Sequence, residues 1–239
     1  MFLLRAHNAS EWTGPTGNNT WLMPGTRSVL IDAGIGARAH VDAIAHALAG
    51  APLDLVIITH HHVDHAAGVP ALLERWPGLV VRGGGGGAPL HDEEIFDCGS
   101  TILRALHTPG HAPDHFCFLD EQSRDVYCGD LARTGGTVVI PASRGGDLAQ
   151  YMRSLRRIRD LQPSRLLPAH GPIIEDPAGL IETYIRHRRE RHAEILEAVA
   201  DGLRTPSEIA MRVYPDLPRS LVPAAEDTIL AHLRYALVD

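Results

Sequence analysis

The sequence is poor in cysteine, and this limits the redox chemistry that the chain can carry. Its 239 residues include three cysteines, Cys98, Cys117 and Cys128. The number is odd, the three have no paired spacing, and each lies in or beside an apolar, strand-like stretch. Small domains that depend on disulfides have even numbers of cysteines at short spacings. We therefore expect three reduced core cysteines and no disulfide framework.

Long apolar runs are also missing. The N-terminal stretch Met1–Arg5 is apolar over only four residues, which is too short for a secretory signal or a membrane span. It is long enough for an edge strand. No membrane association is expected, and a cytoplasmic location is the default expectation.

An excess of positive charge is absent as well. The formal net charge is −7 at pH 7, with 22 basic and 29 acidic side chains. An acidic chain exerts no overall attraction on nucleic acid, so any binding of RNA would depend on local patches or on bound metal. Together with 44% hydrophobic residues, this balance is typical of a soluble globular enzyme.

Arginine is concentrated in two stretches, residues 153–159 and 186–191. Either stretch could contact phosphate groups. An apolar stripe at helical spacing accompanies the first one: Leu148, Met152, Leu155 and Ile158. This pattern favours an amphipathic helix whose basic face is solvated. We interpret both stretches as solvated helix faces.

Histidine, by contrast, is abundant and concentrated in one segment. The apolar run Leu55–Ile58 leads directly into a segment with His60, His62, Asp64 and His65. A strand that runs into a loop presents alternate residues on one side, so these side chains can converge. Imidazole and carboxylate are ligands that zinc, iron and manganese share. The segment therefore predicts a metal site.

Three more candidate ligands follow strand-like stretches elsewhere in the chain. His111 comes after a Pro-Gly turn, Asp130 follows a glycine, and His170 precedes a Gly-Pro pair. Glycine and proline end strands and direct the neighbouring side chain out of the sheet. Alone, each such residue is more often a hydrogen-bonded structural residue than a ligand. Together with the first segment they make seven nitrogen and oxygen ligands, which suits two metal ions better than one.

The order of these ligands resembles the signature of the metallo-β-lactamase superfamily. The matching motif is His60-x-His62-x-Asp64-His65, followed by His111, Asp130 and His170. The resemblance covers the first three quarters of the chain. It implies a four-layer αββα sandwich with the metals at one edge of the two sheets. The alternation of short strands and helices in the sequence by itself indicates only an α/β fold.

The resemblance also implies how the ligands divide. One metal would be held by His60, His62 and His111, the other by Asp64, His65 and His170, with Asp130 bridging the two. The cofactors are expected to be two Zn²⁺, with Mn or Fe as alternatives. Such a pair lowers the pKa of a shared water toward neutrality and provides a bridging hydroxide as nucleophile.

Further roles concern residues around the ligands. Asp64 is the candidate catalytic residue, because a carboxylate bound through one oxygen keeps the other free to accept a hydrogen bond from the attacking water. Asp32 matches an aspartate of the family that orients ligands from behind, and it equally suits the role of a loop cap. His61 and His115 are candidates for the substrate pocket, although a position facing solvent suits His61 equally.

The glycine run Gly83–Gly87 suggests a phosphate-binding loop. The Gly-Lys-Ser/Thr element of such loops does not follow it. We therefore interpret the run as a flexible loop.

The tail predicts a second, helical domain. Helical patterns occupy residues 177–200, the segment from Thr205 and the segment from Ala224. The second pattern begins with an N-cap threonine, a proline at the first helical position and a capping-box glutamate. We divide the chain into a metallo-β-lactamase-fold catalytic domain, residues 1–176, and a C-terminal helical domain, residues 177–239. The latter is expected to resemble a winged helix with the wing absent, since no residues remain for two further strands.

Several segments narrow the resemblance to the group that contains the endoribonuclease β-lactamase-like protein 2. They are residues 8–15, 18–20, 112–115 and the tail from Tyr184. An aspartate at position 130 is unlike the thiolate or missing bridge of true zinc β-lactamases, which argues against antibiotic hydrolysis as the main activity. Recognition of double-stranded DNA is not expected, because no groove-reading element can be identified. A lid or wall of the active site is the preferred role of the tail.

The first expectation for function is a metal-dependent hydrolase that cleaves single-stranded RNA. Ester or thioester hydrolysis, as in glyoxalase II, follows closely, and lactone or weak β-lactam hydrolysis is a further alternative. From a different class, a mononuclear iron dioxygenase of the same fold would not need the second ligand set. The expected partner is therefore a small-molecule or single-stranded RNA substrate, and oligomerisation stays open.

Overall fold

Two five-stranded sheets form the centre of the molecule. The structure is a computed structural model and describes residues 1–237. The first sheet has the order β1-β2-β3-β4-β5, with β1 (Phe2–Arg5), β2 (Asn19–Met23), β3 (Val29–Ile31), β4 (Leu55–Ile58) and β5 (Val80–Gly83). The second has the order β10-β9-β8-β7-β6, with β6 (Ile95–Asp97), β7 (Ile102–His107), β8 (Phe116–Asp120), β9 (Val126–Gly129) and β10 (Leu166–Pro168). Neighbouring strands are antiparallel except in the parallel pairs β3/β4, β4/β5 and β9/β10.

Helices cover the outer face of each sheet and form the C-terminal part. They are α1 (Arg38–Leu48), α2 (Val63–Ala66), α3 (Val69–Arg75), α4 (Leu148–Asp160), α5 (Pro177–Ala200), α6 (Pro206–Val213) and α7 (Val222–Tyr235). α1 and α3 pack on the first sheet, and α4 and α5 pack on the second. None of the helices in the described part is long and apolar enough to span a membrane.

The layers follow from the two-residue period of the strands. In β4, Leu55 and Ile57 face the core between the sheets, whereas Val56 and Ile58 face the core under α1 and α3. In β8, Phe118 faces the core between the sheets, and the outer side packs against α4. Because strands with two buried faces need a layer on each side, both sheets carry apolar residues at consecutive positions. The αββα sandwich is confirmed.

The apolar stripe predicted for residues 148–158 is confirmed, since Leu148, Met152, Leu155 and Ile158 are all buried in α4. The basic side of this helix is only partly solvated. Arg153 is exposed, but Arg157 forms an ion pair with Asp92 at 2.8 Å.

One residue of the second basic stretch, Arg188, differs from the prediction. Arg188 was expected on a solvated face, but it is 2% exposed, its guanidinium donates to the carbonyl of Val138, and it lies 5.4 Å from the ring centre of Tyr151. α5 lies between the sandwich and the C-terminal helices, so more than one of its faces is buried. A helix packed on both sides has no single solvated face.

The C-terminal helices enclose a small apolar core of their own. Its buried members are Ile195, Ala198, Ile209, Ala210 and Ile229. α6 begins with the predicted capping box, in which the Thr205 side chain accepts from the backbone of Glu208 and the Glu208 side chain accepts from the backbone of Thr205. Residues 177–237 contain helices and a short 3₁₀ turn but no strand.

The helix α5 joins this small core to the sandwich. Its first half contributes Ile181 and Ile185 to the core on the second sheet, and its second half contributes Ile195 and Ala198 to the C-terminal core. The division after residue 176 coincides with the start of α5 and remains a prediction. α5 is therefore a member of both cores.

The structure agrees with the expectations for the three cysteines and for the N-terminal segment. Cys98, Cys117 and Cys128 are buried and unpaired by disulfides, as expected. The N-terminal segment forms the edge strand β1, paired with β2 on one side. Burial raises the pKa of the Cys98 and Cys117 thiols to about 12, so both are protonated core side chains at neutral pH.

We expect Ile229→Ala to loosen the C-terminal helices selectively. Ile229 is fully buried in their small core, and truncation of such a side chain lowers the free energy of unfolding by about 2–5 kcal/mol. Hydrogen exchange should quicken in α6 and α7 more than in the sheets. Leu196→Ala is the control, because Leu196 is 42% exposed on α5. Equal effects of the two substitutions would contradict an independent C-terminal core.

Candidate metal centre

The candidate site lies where strands of both sheets end at one edge of the sandwich. His60 follows β4, Asp130 follows β9 and His170 follows two residues after β10. Asp64 and His65 belong to the single-turn helix α2, which directly follows His62. His111 lies in the turn between β7 and β8. All seven predicted ligands are thus brought to one place, where groups of three of them could each hold an ion.

The first ligand set consists of three imidazoles. His62 Nδ1 lies 2.9 Å from His60 Nε2 and 2.9 Å from His111 Nε2. Nitrogens that bind one tetrahedral ion at about 2.0–2.1 Å are about 3.3 Å apart. A small outward movement of the rings would therefore admit an ion between the three nitrogens.

The second set combines a carboxylate with two imidazoles. Asp64 Oδ2 lies 3.4 Å from His170 Nε2 and 3.5 Å from His65 Nε2. The side chains of His65 and His170 are buried, whereas that of Asp64 is 29% exposed. The carboxylate therefore marks the solvent side of this set.

Asp130 lies between the two sets. Its Oδ1 is 3.1 Å from His170 Nε2 and 3.6 Å from His65 Nε2, and its Oδ2 is 3.4 Å from His111 Nε2. The two oxygens therefore face different sets. This is the placement that a bridging carboxylate requires, and it supports the predicted division of the ligands.

The polar atoms of the site fit a pair of cations. Within residues 1–237, two buried ligand atoms that face the second set, His65 Nε2 and Asp130 Oδ1, form no hydrogen bond of ordinary geometry, although Asp130 Oδ1 lies 3.1 Å from His170 Nε2. Buried polar atoms without partners are rare in folded proteins, and a binding site for an ion is one established reason for them. His65 Nε2 and Asp130 Oδ1 face each other across the second set. Nitrogen and carboxylate donors suit zinc, and they also suit manganese and iron.

The imidazoles of the first set are neutral and ready to bind metal. Burial, followed by the neighbouring His111, lowers the pKa of His62 to about 4. Burial and the neighbouring His65 hold the pKa of His60 well below its usual value. An uncharged ring keeps a nitrogen lone pair available for coordination.

The second set carries protons in the metal-free protein. Burial favours the neutral form of His170, but Asp130 and Asp64 outweigh it and raise the pKa to about 9. Burial is likewise outweighed at His65, where Asp32 and Asp130 raise the pKa well above its usual value. Burial disfavours the charged form of Asp64, but a hydrogen bond with His170 lowers its pKa to about 2. Protonated imidazoles thus supply the positive charge that a metal would bring.

Asp32 orients the second set from behind. It is 2% exposed, and one of its oxygens lies 2.8 Å from His65 Nδ1. The same carboxylate accepts hydrogen bonds from the backbone and the hydroxyl of Thr59. Its backbone has φ = 62°, a conformation that aspartate and asparagine adopt more readily than most residues. The contacts of Asp32 are therefore those that both predicted roles require, ligand orientation and loop capping.

His115 does not line the pocket, contrary to expectation. Its ring is fully buried, with Nδ1 2.9 Å from the Thr108 hydroxyl and Nε2 accepting a hydrogen bond from the backbone N–H of Asp130. Burial, followed by the neighbouring His111, lowers the pKa of this ring to about 3. His115 lies directly before β8, and its inward-facing side chain holds the backbone of Asp130 in place.

His61 lies at the rim of the site and outside the cavity lining described below. Its side chain is 49% exposed, and Nδ1 lies 2.7 Å from an oxygen of Asp114. His61 was expected either in the substrate pocket or facing solvent, and in the structure it faces solvent.

Two supporting residues were missed in the sequence. Asn18 is fully buried and donates to Asp64 Oδ2 at 3.1 Å, although it lies 46 residues away in the chain. The hydroxyl of Thr59 lies 3.1 Å from His60 Nδ1 and 3.2 Å from His65 Nδ1. The position of Thr59 directly before the ligand segment could have indicated that it supports the ligands. Nothing in the sequence pairs Asn18 with Asp64.

Glycines allow the chain to pass close to the ligands. A Cβ on Gly129 would lie 2.7 Å from His115 Nε2, and its φ is 48°. A Cβ on Gly84 would lie 3.0 Å from the Cα of His61. The first part of the glycine run therefore packs against the ligand segment, and close approach of two backbones explains it better than the flexibility expected from the sequence.

A cavity of about 840 Å³ opens above the ligands. His62, Asp64, His111, Asp130 and His170 form part of its lining. The rest of the lining contains residues from the loop after β9, from the start of α6 and from α7, among them Arg133, Val138, Thr205, Pro223 and Leu230. Trp12 is also part of the lining. The C-terminal helices thus form part of the cavity wall. This agrees with the preferred role of the C-terminal segment, which was a lid or wall.

We expect Asp32→Asn to weaken metal binding by about 10–100-fold, the usual cost of losing a residue that orients a ligand. Asparagine keeps the positive φ and an acceptor for the Thr59 backbone, but it removes the charge beside His65 Nδ1. Competition with a chromophoric chelator measures the affinity. Asp54→Asn is the control, since Asp54 caps the backbone of Ser28 in the same sheet without contacting a candidate ligand. Equal losses in the two variants would contradict the role given to Asp32.

Metal binding should release protons from the second set, because coordination requires a neutral imidazole. With the pKa of His170 at about 9, the apparent affinity should fall as the pH falls below that value, by up to about tenfold per pH unit for each displaced proton. Titration calorimetry at pH 7.5 in buffers of different ionisation enthalpy counts the protons. Heats that do not depend on the buffer would overturn this expectation.

Comparison with known proteins agrees with the geometry. The family model for the metallo-beta-lactamase superfamily matches residues 13–85 and 78–170, and the model for the beta-lactamase associated winged helix domain matches residues 205–234. The lactamase-like protein vrtG of Penicillium aethiopicum is 32% identical over 239 residues, covering 93% of this chain and 76% of vrtG. Other fungal lactamase-like relatives are longer, and the chain spans as little as 55% of one of them.

Solved structures show the same fold. A beta-lactamase domain protein from Burkholderia ambifaria superposes with a TM-score of 0.85 at 20% identity, over 99% of this chain and 85% of that one. The protein TTHA1623, solved in a di-iron-bound form, has a TM-score of 0.59 at 26% identity, over 72% of this chain and 95% of that one. With its matching family model, its relatives and its fold, the chain belongs to the metallo-β-lactamase superfamily.

Proposed function

We propose that the protein is a hydrolase that depends on two divalent metal ions. The observation that carries the proposal is the position of Asp130, whose two oxygens face separate ligand sets at the floor of one cavity. Two adjoining ions in such a site supply a water of lowered pKa and a positive field for charge that develops on the substrate. The remaining chemistry depends on side chains of the chain itself.

Asp64 is the residue that we assign to proton handling. Its contacts with Asn18, His65 and His170 all involve Oδ2. Oδ1 is therefore the oxygen that can accept a hydrogen bond from water or substrate in the cavity. Asn18 fixes the orientation of the carboxylate, and the low pKa of Asp64, about 2, keeps it ionised at neutral pH.

The cavity favours a small substrate with an apolar part. Its walls include Trp12, Val138, Val139 and Leu230, and the C-terminal helices enclose it from one side. Pockets of this kind bind small molecules by apolar contact and use a few polar groups for orientation. Arg133 lies in the wall and can orient a polar or anionic group of the substrate.

The charges of the cavity do not form a track for RNA. Arg133 and Arg144 line it, but Glu226 and Asp227 line it too. A nucleic-acid channel requires positive charge along the path of the backbone. The arginine stretches lie on α4 and α5, and the side chains of these stretches are not part of the cavity lining in the described residues. Of the two substrate classes expected from the sequence, the lining supports esters and thioesters better than single-stranded RNA.

The metals are proposed to be zinc, with iron or manganese as alternatives. The donor set suits all three, and TTHA1623 shows that iron can fill two sites in this fold. A mononuclear iron dioxygenase is less well supported, because the second ligand set is complete. Metal analysis of protein grown in minimal medium separates the alternatives. Two zinc ions per chain support the hydrolase, and a single iron would contradict it.

We expect metal-loaded protein to hydrolyse 4-nitrophenyl esters or acyl thioesters of N-acetylcysteamine, with kcat lowered about 10²–10⁴-fold in Asp64→Asn. Release of nitrophenolate or thiol gives the rate, and a labelled single-stranded RNA is incubated in parallel. Asp42→Asn is the control, since Asp42 is an exposed aspartate on α1. Cleavage of RNA without cleavage of either ester class would overturn the substrate assignment. Full activity of Asp64→Asn would remove the role given to that carboxylate.

A further inference from the structure

Arg133 lines the large cavity and is held in place through its backbone. Its N–H donates to the hydroxyl of Tyr184 at 3.1 Å, and that hydroxyl donates to the carbonyl of Arg133 at 2.8 Å. Tyr184 is 2% exposed and belongs to α5. Leu131 is held in a similar way, because its carbonyl accepts from Tyr151 at 2.6 Å. Two buried tyrosines therefore fix the chain that runs from the bridging Asp130 to Arg133.

One donor of the Arg133 guanidinium is occupied and the others are free. Nη1 donates to the backbone carbonyl of Trp12 at 3.0 Å. Nε is buried without a hydrogen-bond partner, Nη2 forms no hydrogen bond within residues 1–237, and no carboxylate in that range pairs with Arg133. A guanidinium stays charged at physiological pH, and a buried donor without an acceptor lowers stability. The free donors therefore favour an acceptor that carries negative charge.

These free donors match a carboxylate. Nε and Nη2 lie on one edge of the planar guanidinium, so the two oxygens of a carboxylate can accept from both. The protein itself contains such a pair, since Nε and Nη2 of Arg165 donate to the two oxygens of Asp125. A group with two negative charges is less suitable, because Glu226 and Asp227 line the same cavity. Arg133 is thus suited to a single carboxylate.

The segment that carries Arg133 borders the second ligand set. Arg133 follows the bridging Asp130 in the same loop, and the hydroxyl of Thr134 would lie 3.6 Å from a Cβ on Gly171, the residue after His170. Arg133 and the candidate ligands line one cavity of about 840 Å³. Cavities of this size enclose small molecules. A substrate can therefore reach the metal centre with one end and Arg133 with the other.

We propose that Arg133 selects substrates whose acyl chain ends in a carboxylate. This proposal rests on the proposed hydrolase function and narrows its substrates to esters and thioesters of dicarboxylic acids. The far carboxylate accepts from Arg133, the methylene chain lies along the apolar part of the lining, and the reacting carbonyl lies at the metal centre. Trp12 and Val138 belong to that apolar part. Arg133 thus determines specificity and takes no part in bond cleavage.

The test compares two thioesters of N-acetylcysteamine that have nearly the same shape, the glutaryl compound with a carboxylate and the glutaramoyl compound with a neutral amide. Hydrolysis adds water to the thioester carbonyl and breaks the C–S bond, and the released thiol is measured. With metal-loaded protein we expect kcat/KM to be about tenfold higher for the glutaryl compound, through a lower KM, as is usual for a hydrogen bond between charged groups. Equal kcat/KM values would overturn the proposal and leave the hydrolase function standing.

Variants assign the preference to one residue. Arg133→Gln should abolish the preference by raising KM for the glutaryl compound, and Arg133→Lys should restore part of it because the charge returns. Arg144→Gln should keep the preference, since Arg144 lines the same cavity at an exposed position. If Arg133→Gln slows both compounds equally, Arg133 only supports the loop of Trp12 and the proposal fails. An equal loss of preference in Arg144→Gln would indicate a general positive field and would also contradict the proposal.

Binding of the products gives a readout that does not require turnover. Calorimetry titrates metal-loaded protein with glutarate and glutaramate, which share the carboxylate formed by hydrolysis and differ at the other end. We expect glutarate to bind about tenfold more tightly to the wild type, and no more tightly than glutaramate to Arg133→Gln. If neither thioester is hydrolysed and glutarate keeps this advantage, the hydrolase function fails and the carboxylate site stands. Equal binding of both by the wild type would refute the site, whatever the activity.

Discussion

The candidate centre depends on one buried carboxylate shared by two sets of imidazoles. Asp130 is fixed from behind through the hydrogen bond between its backbone N–H and His115, and its side-chain oxygens face His111 on one side and His170 on the other. A buried carboxylate is stable only beside positive charge. In the metal-free protein that charge comes from protonated His65 and His170, since the pKa of both is raised. Metal ions would take over the same electrostatic role.

The rest of the fold can be understood as the support for this arrangement. Both sheets end at the same edge, so that strands of each contribute ligands, and Asp32 and Thr59 connect the ligand segments of β3 and β4. The segment at residues 138–139 is held from two sides, because Val139 accepts from His111 and Val138 accepts from Arg188. The first contact belongs to the metal centre and the second to α5. The C-terminal helices are therefore attached to the loop that carries the cavity wall.

This attachment gives the C-terminal helices a role beyond packing. The hydroxyl of Ser143 donates to Asp227 of α7 at 2.7 Å, and Arg234 donates to the carbonyl of Ala142. Both contacts join α7 to the loop between β9 and α4. Since α7 and α6 also line the large cavity, their position determines its width. Relatives with the same metal ligands and different tails are thus expected to differ in the substrates that their cavities admit.

Local patterns in the sequence were sufficient for the features that depend on spacing along the chain. The ligand segment at residues 60–65, the amphipathic α4 and the capping box of α6 follow from residues within one or two turns of each other, whereas the αββα layers were expected only from the resemblance to the superfamily. The tertiary structure alone decided the partners that come from distant segments. It placed His115 behind Asp130 instead of in the pocket, joined Asn18 to Asp64, and buried Arg188 between two cores. The physical reason is that periodicity identifies the faces of an element, whereas the element that will cover each face is set by how the sheets and helices pack.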